Sequence, residues 1–415
     1  MGKKRLVVIG GGAAGFFCAV NAAAMNPALE VLIIEKTSKL LSKVKVSGGG
    51  RCNVTHSCFS ISEMIRKYPR GAGFLKKAFH HFFTTNTIHW FEEKGISLKT
   101  EADGRMFPVS NSSQTIIDCL LQEVRKHEID ILVNREVKKL SRISDGWSVS
   151  FTNQAEIFAD FICVASGGYA KPHQFEWLTT LGHSVALPVP SLFTFNMPGN
   201  RITALMGVTV EQVIVKVAGT QLTENGPLLI THWGMSGPAI LKLSAWGARE
   251  LAACNWQFAI IVNWLSAYNE QTLREKFQHI RFEIANQKII NRNPFSLPQR
   301  LWQYLLEESG IHQDLRWADL PAKEQNKLIK NICAQEFQVN GKTTFKEEFV
   351  TAGGINLDEV DHNTMQSKLH PGLYFAGEIL NIDGVTGGFN FQNAWTTGWI
   401  AANAIAINSL ADVDK

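Results

Sequence analysis

The first apolar segment of the chain, Leu6, Val7, Val8 and Ile9, is continuous rather than alternating, the pattern of a strand buried on both faces of a parallel sheet. It runs into a glycine-rich turn and then an alanine-rich, helix-compatible stretch over residues 16–25. Further apolar runs predict strands at 31–34, 161–165 and 372–377, and residues 393–410 predict a last helix. Between these α/β-type regions the texture changes near Pro188 and Pro190. From 192 to 264, short β-rich pieces such as 208–217 and 256–262 alternate with turn signals, among them Glu224, Asn225, Gly226 and Pro227. A helix-like stretch at 239–252 lies within this part. From 269 to 337 amphipathic stretches take over: 299–309, closed by Gly310, and 319–337, with Pro321 in its first turn. Strands resume at Val339, and residues 351–355 lead back to the α/β pattern. This order predicts an α/β domain in two parts, 1–190 and 351–415. Nested between them are a β-rich subdomain at 191–264, a helical subdomain at 265–337 and a return strand of the β-rich part at 338–350.

Composition narrows the class. A chain of 415 residues, 45% hydrophobic and 19% charged, has the balance and length for two to three globular domains. Its 33 glycines gather at 10–15, 48–50, 353–354 and 384–388, which marks backbone that something must approach closely. Lys+Arg 41 against Asp+Glu 37 gives +4, and no run of consecutive basic residues stands out, so a nucleic-acid partner has little support. Seven cysteines without paired CxxC motifs point to a reducing compartment. Neither the opening residues nor the run at 258–265 is long enough for a signal-peptide core or a membrane span, so the expectation is a cytoplasmic protein without membrane contact.

The chemistry sits in the glycine clusters. Gly10, Gly12 and Gly15 form GxGxxG between a strand and a helix, and Glu35 ends the next strand at dinucleotide-binding spacing. Gly10 permits the turn, Gly12 admits a pyrophosphate to the helix N-terminus, and Gly15 lets helix and strand touch. Glu35 is placed to accept the ribose hydroxyls of an adenosine, and its charge disfavours a 2′-phosphate, which leaves FAD or NAD. Ala13, Ala14 and Lys36 flank these positions. A second segment, Lys43 followed by Ser47, Gly48, Gly49, Gly50, Arg51, Cys52 and Asn53, offers inward-facing amides and positive charge. Two further strands end in glycine: one at Ser166, Gly167 and Gly168, the other at Gly377 and Glu378. Gly387, Gly388, Phe389 and Asn390 then open the last helix, whose positive end suits the anionic charge that develops on a reduced flavin. This favours FAD, with NADH or NADPH as a transient reductant.

These motifs, together with Thr231 to Pro238 (Thr-His-Trp-Gly-Met-Ser-Gly-Pro) and Gly384 to Gln392, resemble the bacterial BaiN-like family of FAD-dependent flavoproteins, also labelled the aminoacetone oxidase family. The resemblance covers essentially the whole chain. It implies a glutathione-reductase-type FAD-binding Rossmann domain interrupted by a β-barrel-like subdomain and a helical subdomain. It further implies that Gly10, Gly12, Gly15 and Glu35 hold the ADP half and that the backbone of Val137 meets the adenine. Glu378 would meet the ribityl chain, and 387–390 the flavin ring. Relatives commonly carry Gly-Arg before the motif lysine; here Leu41 and Ser42 stand there, leaving Lys43 as the cation.

The leading expectation is a flavin-dependent oxidoreductase that moves a hydride through flavin N5 between a reduced nicotinamide or small organic substrate and an acceptor. Lys43, His232 and Tyr169 are candidate acids or bases, with His173 behind them. One alternative is a disulfide reductase using Cys52 and Cys58. Others are a non-catalytic or redox-sensing FAD protein and a nucleic-acid-modifying flavoprotein, the last disfavoured because the basic residues are dispersed. No metal ligand set is evident, and the oligomeric state is open.

Overall fold

In the computed structural model, which describes residues 3–343 and 350–411, the first apolar run becomes the strand Arg5–Ile9 at the centre of a five-stranded sheet. It pairs in parallel with Glu30–Ile34 on one side and Phe161–Val164 on the other. Asp130–Leu132 and Leu373–Phe375 complete the edges in the same direction. Leu6, Val7 and Val8 are fully buried, as a strand covered on both faces requires. The helix Ala13–Met25 packs on this sheet and against the last helix, Phe389–Ala411. That helix starts at Phe389 rather than at 393, so the glycine pair at 387–388 sits directly at its N-terminus.

The chain divides into two units, residues 1–190 with 345–415, and residues 191–344. The first carries the parallel sheet and two small antiparallel sheets. Its strands Val185–Ser191 and Val350–Ile355, on either side of the inserted residues, pair with one another. Gly353 and Gly354 lie inside the second of these, at φ +136° and +131°. They do not form a turn. A Cβ at Gly353 would come within 2.7 Å of the Ala186 and Leu187 carbonyls, and one at Gly354 within 2.4 Å of that of Ile379, so close backbone packing demands glycine at both.

The second unit is a seven-stranded sheet in the order Gln335–Asn340, Gln257–Asn263, Thr209–Val217, Thr223–Thr231, Gly234–Ser236, Thr194–Asn196, Lys342–Thr343. Its two end strands are consecutive in the chain, joined through Gly341, which closes the sheet like a barrel. The helices Glu270–Glu283, Gln299–Glu308 and Ala322–Cys333 share one hydrophobic core with it, built around Trp264, Phe277, Trp302 and Trp317.

Three local expectations are corrected. The turn signal at 224–227 lies within the strand Thr223–Thr231, because a bulge between Val210 and Val213 of the neighbouring strand gives Pro227 a place outside regular pairing. The helix expected over 319–337 ends at Cys333, and Gln335–Asn340 is a strand with alternating buried positions. The helix expected over 239–252 breaks at Gly247, where Leu222 and Leu251 leave no room for a side chain. Of the return strand expected at 338–350, residues 344–349 lie outside the described residues. No helix among the described residues is long and apolar enough to cross a membrane.

Candidate functional site

The nucleotide turn is built by exclusion of side chains. Gly10 has φ +121°, and a Cβ on it would come within 2.3 Å of the Ala165 carbonyl oxygen; one on Gly15 would reach 2.0 Å from that of Gly10. Gly12 is different: a Cβ there would meet nothing within 4 Å, so its face is open. As N-cap of Ala13–Met25 it supplies no side-chain cap, which leaves first-turn N–H groups for an anion. Ala13 is half-buried and Ala14 buried. Glu35 accepts from the Gly11 N–H and from Thr37 N and Oγ1, each at 2.9 Å. The carboxylate therefore fixes the turn itself. The Arg135 N–H bonds to the Glu35 carbonyl at 2.9 Å, which brings the strand Val137–Ile143, with Val137 buried, to the same end. Lys36 lies 5.4 Å over the Tyr169 ring. Burial, with Glu136 and Glu35 nearby, pushes the Tyr169 phenol up. Tyr169 thus belongs with Glu35 and Lys36.

The segment expected to be a loop at 48–50 begins as a helical turn, Ser42–Gly50, and then unwinds. Leu41 donates its N–H to the Gly11 carbonyl at 2.8 Å and stands at φ +53°, in the left-handed region. Gly48, Gly49 and Gly50 all have positive φ. The Gly48 face is closed by Phe107, while Cβ atoms on Gly49 and Gly50 would meet nothing within 4 Å. Ser47 Oγ bonds to the Val44 carbonyl. Arg51 donates to the Gly48 carbonyl, pairs with Glu101 at 2.6 Å and lies 4.0 Å over the Phe107 ring, so its charge is spent on holding this turn.

Asn53 and Asn390, both expected to touch cofactor, bind the loops together. In the amide orientation that satisfies both neighbours, Asn53 donates to the Thr55 carbonyl at 3.0 Å and accepts from the Gly388 N–H at 2.9 Å. A Cβ on Gly388 would come within 2.6 Å of that same carbonyl. Asn390 closes on Gly384, accepting at 2.8 Å and donating at 2.9 Å. Phe389 is buried, with its ring 4.9 Å from and stacked on His56, and its carbonyl accepts from Tyr68 Oη at 2.6 Å. Arg70 clamps the fully buried Asp383 through two nitrogens. Motif reading missed Tyr68, Arg70 and Asp383, since nothing in their own sequence neighbourhood marks them as partners.

These distant pieces converge. Glu378 accepts from Lys43 Nζ at 2.5 Å through one oxygen and from the Thr351 N–H at 2.8 Å through the other. A Cβ on Gly168 would run into Thr351 Oγ1 and Glu378 Oε1, and one on Gly377, at φ +76°, into Ala14. Beside them Gly167 is open, and Ser166 is half-buried. Thr351 Oγ1 is buried without a hydrogen-bond partner. Of the remaining candidates, His173 is exposed in the short turn Pro172–Phe175, and His232, exposed and against the Trp233 ring, belongs to the second unit. Cys52 and Cys58 are free thiols. Burial pushes Cys52 up to about 12, so it lacks the thiolate that a disulfide reductase requires. No cluster of three metal-ligating side chains exists among the described residues.

The donor set fits an FAD-type dinucleotide. An uncapped helix N-terminus, an acid at ribose spacing and open glycine faces at 12, 49, 50 and 167 are gathered in one unit with an unpartnered buried hydroxyl.

The family described as "HI0933-like protein Rossmann domain" matches residues 4–404. A protein of Escherichia coli K12 named ribosomal RNA dihydrouridine synthase is 31% identical over 406 residues, 95% of this chain and 96% of that one. The 3-dehydro-bile acid delta(4,6)-reductase of Clostridium scindens is 26% identical over 413 residues, 97% and 99% of the two chains. Among solved structures, 3-ketosteroid delta1-dehydrogenase from Sterolibacterium denitrificans shares the fold at a TM-score of 0.51 and 13% identity, over 97% of this chain and 99% of that one.

Proposed function

The chain belongs to the HI0933-like Rossmann-domain family of FAD-dependent oxidoreductases, and on that premise we propose that it reduces a carbon–carbon double bond conjugated to a carbonyl, with uridine in RNA as the substrate. The observation that carries this reading is the whole-length similarity to two relatives whose names describe one kind of reaction. Making dihydrouridine saturates a uracil double bond conjugated to a ring carbonyl, and a 3-dehydro delta(4,6) reductase saturates one conjugated to a ketone. In both the carbonyl makes the far alkene carbon electrophilic. Bound FAD supplies hydride transfer through N5. Both relatives overlap this chain almost completely, and the higher identity, 31% against 26%, favours uridine over the steroid-type substrate.

The chain's own residues have three tasks in this scheme. Gly12 and the first turn of Ala13–Met25 receive the pyrophosphate, and Glu35 the ribose. The backbone at 48–50 and 387–388 holds the ring, stiffened by Asn53, Asn390 and the Arg70–Asp383 clamp. Lys43, oriented by Glu378, provides an ammonium for the carbonyl oxygen on which negative charge develops, and a proton to hand on.

Purified holoprotein, incubated with a dihydrouridine-free ribosomal RNA transcript and NADH or NADPH, is expected to yield dihydrouridine on nucleoside mass spectrometry. A 3-oxo-delta(4,6) steroid assayed in parallel reads the alternative substrate by loss of its dienone absorbance. If flavin is reduced by nicotinamide and neither compound is saturated, the reading fails.

A further inference from the structure

Residues 64–91 contain no Asp or Glu, while Arg66, Lys67, Arg70, Lys76, Lys77, His80, His81 and His89 all fall within them. Apart from Arg70, spent on Asp383, the cations at 66–81 are exposed. Lys76 and Lys77 end the helix Ala72–Ala78, with His80 and His81 just beyond it. A second segment adds to the same face: His81 Nε2 lies 3.2 Å from Asn363 Oδ1, and the Phe74 and His362 rings meet edge to face. His362 is held below the ordinary imidazole range, first by burial and then by the field of Lys77, with His81 and Lys368 acting the same way against Asp361. Lys77 of the first segment and Lys368 of the second therefore both lie near His362, opposed locally by Asp361 and, at the margin, by Glu63.

This face is tied to the glycine loop at 381–389 by backbone and side chain. The Val385 N–H bonds to the Lys67 carbonyl at 2.9 Å, Tyr68 Oη to the Phe389 carbonyl at 2.6 Å, and Arg70 to Asp383. Gly71 packs on Ile382 so closely that a Cβ would fall within 2.5 Å of its side chain. The basic segment is thus fixed beside the glycine loop at 381–389.

We propose that the exposed cations Arg66, Lys67, Lys76 and Lys77, with Lys368, form the docking surface for the phosphodiester backbone of an RNA substrate, which they present to the glycine loop at 381–389. The proposal rests on the reading of uridine in RNA as substrate. Phosphate contacts of this kind fix register without reading sequence, and their strength falls with salt because releasing counterions into a saltier solution gains less entropy.

The test is fluorescence anisotropy of the holoprotein with a fluorescein-labelled RNA hairpin carrying loop uridines, across about 50 to 200 mM salt. Lys76→Ala/Lys77→Ala is expected to weaken binding roughly tenfold and to lower the slope of log affinity against log salt by about 2, with the flavin-to-protein ratio unchanged. Lys216→Ala, on the second unit, is expected to change neither. Equal affinity and slope in the double variant overturns the surface, as does wild-type binding to anionic vesicles or an acidic peptide but not to RNA. RNA held through these lysines with its uridines unreduced keeps the surface and sinks the substrate reading. Uridine reduction with the double variant binding as wild type does the reverse.

Discussion

Lys43 and Glu378 come from opposite ends of the chain and meet as a hydrogen-bonded ion pair. The pair is partly exposed, the ammonium side chain at 41%, so its direct contribution to stability is small, at most about 1 kcal/mol. Its worth is positional: Glu378 is itself fixed by the Thr351 N–H, and so aims the ammonium from a rigid base. Lys43→Met is therefore expected to leave folding and flavin content close to wild type. It should lower the rate of substrate reduction about 100-fold or more, the range for a lost proton donor. Stopped-flow traces with saturating substrate, set beside the flavin absorbance of the same preparation, measure both. Loss of flavin in step with rate would make Lys43 a cofactor-holding residue instead.

At the level of elements, the two long helices of the first unit depend on a missing side chain. A Cβ on Gly398 would stand 2.8 Å from the Ala14 carbonyl and 3.4 Å from the Cys18 nitrogen, and neither backbone atom can yield cheaply. Gly398→Val is expected to cost about 1–3 kcal/mol by overpacking, and to loosen the nucleotide turn, since Ala14 also faces Gly377. A calorimetric scan checks it; an unchanged midpoint with full flavin occupancy would show that the helices separate freely. The parallel strands were legible because burial on both faces demands continuous apolar runs, and the nucleotide turn because crowding at Gly10 and Gly15 excludes side chains whatever else surrounds them. Asn53 and Asn390 were legible as important, but their partners Gly388 and Gly384 were not, since a side chain's target depends on loops brought together only by folding. The start of the strand at 335–340, residues 335–337, was read as helix because its apolar positions follow a helical stretch without a glycine or proline between. Nor did scattered lysines suggest a cationic face, which arises from the turn spacing of Ala72–Ala78 and the approach of residues 361–363.

Across the molecule, the first unit is fastened where the insert leaves and returns. Buried His183 meets Glu359 at 2.9 Å through Nδ1 and Ser367 at 3.1 Å through Nε2, and Glu359 also accepts from Ser184. Burial lowers the His183 value from an ordinary 6.5, although the bond to Glu359 works against it. For Glu359 burial acts upward, but the hydrogen bonds from Ser184 and His183 outweigh it and leave the carboxyl below 4.5. Both shifts have the same sign for stability. As pH falls through 6.5 the unfolded imidazole takes a proton that the folded one refuses, and below 4.5 the unfolded carboxylate does likewise. Stability should therefore decline from pH 6.5 downward, and His183→Gln should flatten the first part of that decline in urea titrations at several pH values. An equal slope in the variant would assign the acid sensitivity to other groups. The strand order carries a further consequence, for the timing of synthesis. Leu373–Phe375 joins the parallel sheet beside Phe161–Val164, from across the whole of residues 191–344. The closed sheet of the second unit can be finished while the first still lacks an edge strand and its last helix. The ribosome thus exposes a first unit that stays without its edge strand and last helix until the residues after the insert are made.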